Sequence, residues 1–304
     1  MRHVLVLLNA KAGTLQNRDG EAVRQEVAER LARDGRKVEV YLLNGEALVR
    51  AIRASGRGPH DTVIVGGGDG SVSLAARCHE HSGKALGILP LGTMNLLAHD
   101  IGMPTDIGAA LDALDTARSI RVDMGTLNGR RFHTISGFGF FSQMARARET
   151  ARRWGLGRFF AVPIAAFLAL RRTGRIHIDV EVDGHSRHFA AFSALVTVNR
   201  FTGPGWRRGR LDEDLLEVHI VEDRGALAKL KAGADLMTDS WRGNPGIVSL
   251  SGHDIVISRG GRKRTWVSTD GELTRERLPL HYRVVPQALE LLVPDAAPQR
   301  GSIS

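Results

Sequence analysis

Through the first third of the chain, short apolar runs alternate with stretches of helical periodicity. Val4-Leu5-Val6-Leu7-Leu8 is continuously apolar, as a strand covered on both faces must be. It is too short for a signal peptide and is followed by polar Asn9, so it reads as a first core strand. Residues 20–34 carry Val23, Val27 and Leu31 at four-residue spacing, which predicts an amphipathic helix. Val38–Leu43 reads as a second strand, and 47–54 as a short helix broken by Gly56-Arg57-Gly58-Pro59. The β-branched run Val63-Ile64-Val65 is a third strand, Ala85–Leu89 a fourth, and helices are expected after Asn95 and over 106–116. Strands alternating with helices predict an open parallel α/β sheet.

Beyond Arg121-Val122-Asp123 the pattern changes. Strands are expected at 131–136, 175–182, 188–198, 215–221, 247–250, 253–258, 264–269 and 280–285, with Asp183-Gly184 as a hairpin turn. Helices fit 142–152, 158–171 and 226–238. Runs of strands predict a second, mostly antiparallel β-rich domain. Residues 288–293 add one more apolar segment, and the tail from Pro294 is polar.

Three polar loops each follow a strand of the first domain: 9–13, 66–71 and 90–95. Ligands of open α/β sheets sit beyond the carboxyl ends of the strands, so all three would open on one edge. In Gly66-Gly67-Gly68-Asp69-Gly70-Ser71 the glycines let backbone N–H groups approach an anion. The helix expected after Ser71 would add its dipole. A tight strand-to-helix turn without a ligand is the plain alternative.

Composition changes this picture little. The chain has 304 residues, room for two cores. Its 42% hydrophobic and 25% charged content is ordinary for a globular protein. A single cysteine, Cys78, excludes an internal disulfide framework and a cysteine-rich zinc site. The net charge of +9 could meet nucleic acid, anionic lipid or a phosphorylated substrate, with a simply solvated arginine-rich surface as the default. The arginines are dispersed rather than massed as in a nucleic-acid tail, so no nucleic-acid partner is expected. The longest apolar run, 159–170, is interrupted by Pro163 and falls short of the roughly 20 residues a membrane span needs.

Common catalytic motifs are missing. Gly83-Lys84 lacks the rest of a Walker A loop, and Gly137-Phe138-Gly139 lacks the third glycine of a dinucleotide turn. His79 and His81, two apart, point to different faces of a helix. Neither a zincin helix nor a nucleophile elbow occurs.

What does occur is an ordered set: Asn9-x-x-x-Gly13, Gly67-Gly68-Asp69-Gly70-Ser71, Pro90-Leu91-Gly92-Thr93-Met94-Asn95-Leu96-Leu97-Ala98 and Val267-Ser268-Thr269-Asp270-Gly271-Glu272. In order and spacing these four resemble the diacylglycerol kinase catalytic-domain family, which includes bacterial soluble lipid kinases and sphingosine kinases. The resemblance covers nearly the whole chain. It implies an ATP-binding α/β domain over 1–122, like that of NAD kinase and phosphofructokinase, completed by 287–296. It also implies a β-rich lipid-substrate domain over 123–286, a loose tail at 297–304, and an active site in the cleft between domains.

The implied reaction moves the ATP γ-phosphoryl group to a lipid hydroxyl with Mg2+. Gly67, Gly68, Gly70 and Ser71 would offer donors to the phosphates, and Asn9, Gly92, Thr93 and Asn95 would line the neighbouring loops. Asp270 would be the general base, its plain alternative being a hairpin Asp-Gly turn. In an extended segment Glu272 would share a face with Asp270 and could hold Mg2+ or tune it. Asp69 is marked as essential; as a carboxylate beside phosphates it needs a metal, a water or a backbone donor. Asp123 matches an acidic family position and is a metal-ligand expectation, or a strand-end cap.

Two departures stand out. Asn95-Leu96-Leu97-Ala98 lacks the acid many members carry after the Asn. Where several bacterial members hold a structural Mg2+, this chain has Arg210 upstream of Asp212-Glu213-Asp214; these acids could hold a cation or form an exposed turn.

The lipid side rests on two stretches. One is Trp154 to Leu168 with flanking arginines, which could face acyl chains or pack as a core helix. The other is a flexible basic loop, Gly203–Arg210, a candidate for headgroup contact or simply exposed. The expected setting is cytoplasmic with peripheral membrane contact. A homodimer stays open, as does the lipid acceptor: diacylglycerol, a sphingoid base, a ceramide or a glycerophospholipid. A kinase of a soluble hydroxyl substrate, like NAD kinase, and a silent nucleotide- or lipid-binding regulator are the competing readings.

Overall fold

The computed structural model describes residues 1–16, 18–33, 35–153, 173–203, 207–225 and 244–295. The chain divides into two compact units, Met1–Asp123 with Pro286–Ser304, and Met124–Val285.

The first unit alternates strand and helix. Its elements are β1 (His3–Asn9), α1 (Gly20–Leu31), β2 (Lys37–Leu43), α2 (Gly45–Ser55), β3 (Thr62–Gly67) and α3 (Asp69–His79). They continue with β4 (Ala85–Pro90), α4 (Leu96–Asp100), α5 (Ile107–Asp115) and the first part of β5 (Arg118–Leu127). β1 pairs in parallel with β2 and β3, and β3 with β4. The last half of β17 (Leu280–Val293) adds beside β4, with Leu291 opposite Leu86. This is the parallel α/β sheet the alternation predicts. All of β3 is buried, which is why its sequence is apolar without alternation. Helix α1 buries the expected Val23, Val27 and Leu31, and it starts where the Asp19 carboxylate accepts from the N–H groups of Glu21 and Ala22.

The second unit is largely antiparallel. Its strands are β6 (Arg130–Phe132), β7 (Ile135–Gly139), β8 (Ile176–Val182), β9 (His185–Val198), the short pair β10 (Phe201–Gly203) and β11 (Arg207–Arg208), and β12 (Leu216–Glu222). They go on through β13 (Ile247–Gly252), β14 (Asp254–Ser258), β15 (Arg264–Thr269), β16 (Glu272–Arg277) and the start of β17. Helix α6 spans Phe140–Arg153. The 14-residue β9 is the spine. It pairs with β8 through its first half, β7 through its second, and β12 along its other edge. Asp183 and Gly184 close the β8–β9 hairpin at φ 47° and 85°, a two-residue turn that suits strand twist. Phe132, Ile178, Val180, Val196, Val218 and Ile257 fill the core of this unit.

The expected helices 158–171 and 226–238, and the apolar stretch Trp154 to Leu168, lie outside the described residues. The expected strand at 131–136 is two strands, interrupted at His133-Thr134, whose N–H groups turn toward Asp270. β16 went unpredicted because Glu-Leu-Thr-Arg-Glu-Arg carries almost no apolar signal. Among the described residues it pairs only with β15, at the end of the strand order, where charged residues belong.

Candidate active site

In the first unit, the three polar loops do meet. The Leu91 carbonyl accepts from both the N–H and the hydroxyl of Thr14, at 3.2 and 3.1 Å. The Leu91 N–H donates to the Gly67 carbonyl at 3.1 Å. Asn9 reaches across from β1: its Nδ2 donates to Ser71 Oγ at 3.4 Å, and its Oδ1 accepts from the Lys11 N–H at 3.0 Å. Thr93 Oγ1 lies 3.9 Å from where a side chain on Gly13 would begin.

Close approach explains the glycines here. A Cβ on Gly92 would sit 2.4 Å from the Gly68 Cα and 2.6 Å from Asn95 Oδ1. One on Gly67 would sit 2.8 Å from the Ser71 side chain. Gly70 differs: a side chain there would meet nothing within 4 Å. Helix α3 starts at Asp69 with Gly68 as its extended N-cap. The first N–H groups of a helix have no intrahelical acceptor, and Gly70 in this first turn is exposed.

Asp69 finds backbone donors. Its Oδ1 accepts from the Leu96 N–H at 2.7 Å and its Oδ2 from the Asn95 N–H at 3.1 Å. It therefore binds the start of α4 to the start of α3. Asn95 is buried and left-handed at φ 48°. Its side chain closes on Gly92, accepting from the N–H at 3.0 Å and donating to the carbonyl at 3.1 Å. The Asn95 amide thus shapes the loop, while Gly70 and Thr93 are exposed and Ser71 is half-buried.

The second unit holds a separate polar centre. Asp270 and Gly271, at φ 46° and 82°, form the β15–β16 turn. The Asp270 side chain is 1% exposed. It accepts from the N–H groups of His133 at 2.9 Å, Thr134 at 3.0 Å and Ile135 at 3.2 Å. His133 Nε2 lies 3.6 Å from Asp270 Oδ2. Beside this, Ser136 Oγ contacts Thr269 Oγ1 at 2.9 Å and the Tyr282 hydroxyl at 3.2 Å. Burial pushes the Tyr282 phenol well above its ordinary value, against the smaller pull of the Ser136 hydrogen bond.

The other expected residues are placed differently. Glu272 does not share a face with Asp270: the turn sends it to the surface, where its Oε2 pairs with Arg130 at 2.7 Å. Asp123 is buried in the first unit and accepts from the Gln287 N–H at 2.9 Å. Asp212 pairs with Arg210 at 3.1 Å, and Glu213 accepts from the Arg200 N–H at 2.8 Å. Among the described residues, no three acids or histidines gather as a metal cluster. Arg208, which sequence places in a flexible basic loop, is instead 4% exposed. Nothing in a Gly-Arg-rich stretch marks one arginine as buried.

The chain matches the pattern of the diacylglycerol kinase catalytic domain over residues 3–127. Over 139–293 it matches the YegS C-terminal NAD kinase beta sandwich-like domain. A diacylglycerol kinase of Staphylococcus carnosus is 24% identical over 281 residues, 88% of this chain and 89% of the relative. An uncharacterized protein of Synechocystis sp. is 24% identical over 242 residues; the match takes in 76% of this chain but only 54% of that relative's length. A crystal structure of a diacylglycerol kinase from Bacillus anthracis superimposes with a TM-score of 0.73 at 18% identity, covering 98% of both chains, which establishes a shared fold.

Proposed function

Because the chain belongs to the diacylglycerol kinase catalytic-domain family, we propose that it is a lipid kinase using ATP to phosphorylate a lipid hydroxyl. The observation that carries this reading is the meeting of three loops around a glycine turn whose open side lies at Gly70. Phosphoryl transfer depends on positioning and charge stabilisation more than on covalent chemistry. The N–H groups at Gly68, Asp69 and Gly70, with the Ser71 and Thr93 hydroxyls, are the donors we assign to the ATP phosphates. Asp69 and Asn95 hold that cradle in shape from behind.

Asp270 is our assignment for the general base. An ionised carboxylate offers about four acceptor sites, and three backbone N–H groups occupy it here. As attack begins this carboxylate would take the hydroxyl proton. Asp69 and Glu272 are engaged by backbone N–H groups and by Arg130, so a Mg2+ ion would come with the nucleotide, since it keeps waters and needs few carboxylates. Asp123 is the residue we assign to its hydration shell. Bound with ATP, the ion would neutralise phosphate charge. The acceptor we favour is diacylglycerol-like, met at a membrane surface. Among the described residues no helix is long and apolar enough to cross a membrane.

The test is Asp270→Asn. It should abolish transfer to lipid while nucleotide binding survives; full activity in that variant would remove the base assignment.

A further inference from the structure

We propose that Arg208 is a positioning residue that holds the Asp270 carboxylate through a single peptide group. Its Nη1 donates to the His133 carbonyl at 2.6 Å and to the Val198 carbonyl at 3.1 Å. Its Nη2 lies 3.5 Å from Thr134 Oγ1. The peptide group that begins with the His133 carbonyl ends in the Thr134 N–H, which donates to Asp270 Oδ1 at 3.0 Å. A buried cation and a buried anion thus grip opposite ends of one peptide dipole.

Burying a guanidinium is costly unless its donors are satisfied. Here Nη1 serves both carbonyls while Nη2 reaches Thr134 Oγ1, and the rigid plane of the guanidinium fixes these directions together, which an ammonium on a flexible stem does less well. Hydrogen bonds in series polarise one another, so the charge on Arg208 strengthens the Thr134 donor facing Asp270. The guanidinium also ties β11 to the end of β9 and to the interruption between β6 and β7. That interruption exists because His133 and Thr134 direct their N–H groups at Asp270 rather than along a strand. Arg208 fixes the backbone on the far side, so the three N–H groups and the carboxylate keep one geometry.

This inference rests on the reading of Asp270 as base, and the experiment separates the two. Arg208→Met, Arg208→Lys and Asp270→Asn are compared with the parent protein for kcat, for KM of ATP, and for hydrogen exchange at the Thr134 amide. Arg208→Met should lower kcat about ten- to a hundredfold, as small misplacements of a reacting group do, with KM for ATP within about twofold and a faster-exchanging Thr134 amide. Arg208→Lys, which keeps the charge, should recover part of kcat. It also carries the test if Arg208→Met does not fold, by falling between the parent and Asp270→Asn in kcat at unchanged KM.

If Arg208→Met folds and leaves both kcat and Thr134 exchange unchanged, the proposal is overturned. A rise in KM at constant kcat would overturn it too. If Asp270→Asn stays fully active while Arg208→Met deprotects Thr134, the base assignment falls and the Arg208 clamp stands.

Discussion

The Asp69 carboxylate accepts the Leu96 N–H at 2.7 Å, joining the first residue of α3 to the first residue of α4. A second bond to the Asn95 N–H, at 3.1 Å, completes the grip. The acid beside the expected phosphates therefore has a structural partner, which ties the glycine turn to the 90–95 loop. Asp69→Ala leaves both N–H groups without this acceptor, an omission that costs about 1–3 kcal/mol per buried group. ATP affinity measured by calorimetry should fall at least tenfold while the far-ultraviolet circular dichroism stays native. Unchanged affinity would detach Asp69 from the nucleotide site.

Gly70 and Gly92 separate ligand space from packing. Alanine at Gly92 would drive its Cβ to 2.4 Å from the Gly68 Cα, so Gly92→Ala should lower stability by about 1–3 kcal/mol, as overpacking does. Alanine at Gly70 meets nothing within 4 Å, so Gly70→Ala should leave the melting temperature within about 1 °C, in line with a tolerated surface change. If ATP phosphates lie on that side, the same substitution should raise KM for ATP several-fold. An unaltered KM would place the phosphates elsewhere.

Asp270-Gly271 is both a hairpin turn and the holder of a buried carboxylate, so its two residues should fail differently. Gly271 sits at φ 82° with open space around it. Gly271→Ala should cost about 1 kcal/mol through backbone strain and spare most activity. Denaturant unfolding beside the kinase assay checks this; a large loss of activity at normal stability would give Gly271 a direct part in the reaction.

His79 gives a pH signature to the first unit. It is buried between α2 and α3, with Nδ1 2.8 Å from the Ala75 carbonyl and Nε2 3.2 Å from Ser55 Oγ. Burial lowers its affinity for a proton below the ordinary imidazole value of 6.5, against the raising effect of the Ala75 carbonyl and with a further lowering from Lys84. The unfolded chain then binds more protons than the folded one below pH 6.5, so stability falls with acidification from there down through the lowered folded value. His79→Gln should flatten that slope while destabilising the protein at pH 8 by about 1 kcal/mol, the worth of a buried hydrogen bond. Parallel slopes for the two proteins between pH 7 and 5 would rule His79 out as the source.

Periodicity made the parallel half of the fold legible, because buried strands there are continuous apolar runs between amphipathic helices. The β-rich half was readable wherever strands alternate or end in Asp-Gly, as at Asp183-Gly184. It was not readable at β16, whose charges give no burial pattern, nor at 131–136, where a carboxylate 135 residues or more away diverts the backbone N–H groups. The same limit governs the site. Glycines, Asn9, Thr93 and Asp270 announce themselves through local motifs. The engagement of Asp69 with Leu96, and the burial of Arg208 against His133, arise from contacts between distant segments that no local motif encodes.

Phosphoryl transfer to a lipid hydroxyl is the reaction proposed for this protein. Its most direct measurement is incubation of the protein with γ-labelled ATP and Mg2+ against a lipid panel and, separately, NAD, with products identified by mass. The panel holds diacylglycerol, ceramide, sphingoid bases and glycerophospholipids. Label should appear on one lipid class as a phosphomonoester, be lost in Asp270→Asn and be weakened in Gly70→Ala. Label on NAD, or tight nucleotide binding with no lipid phosphorylated in any class, would contradict it.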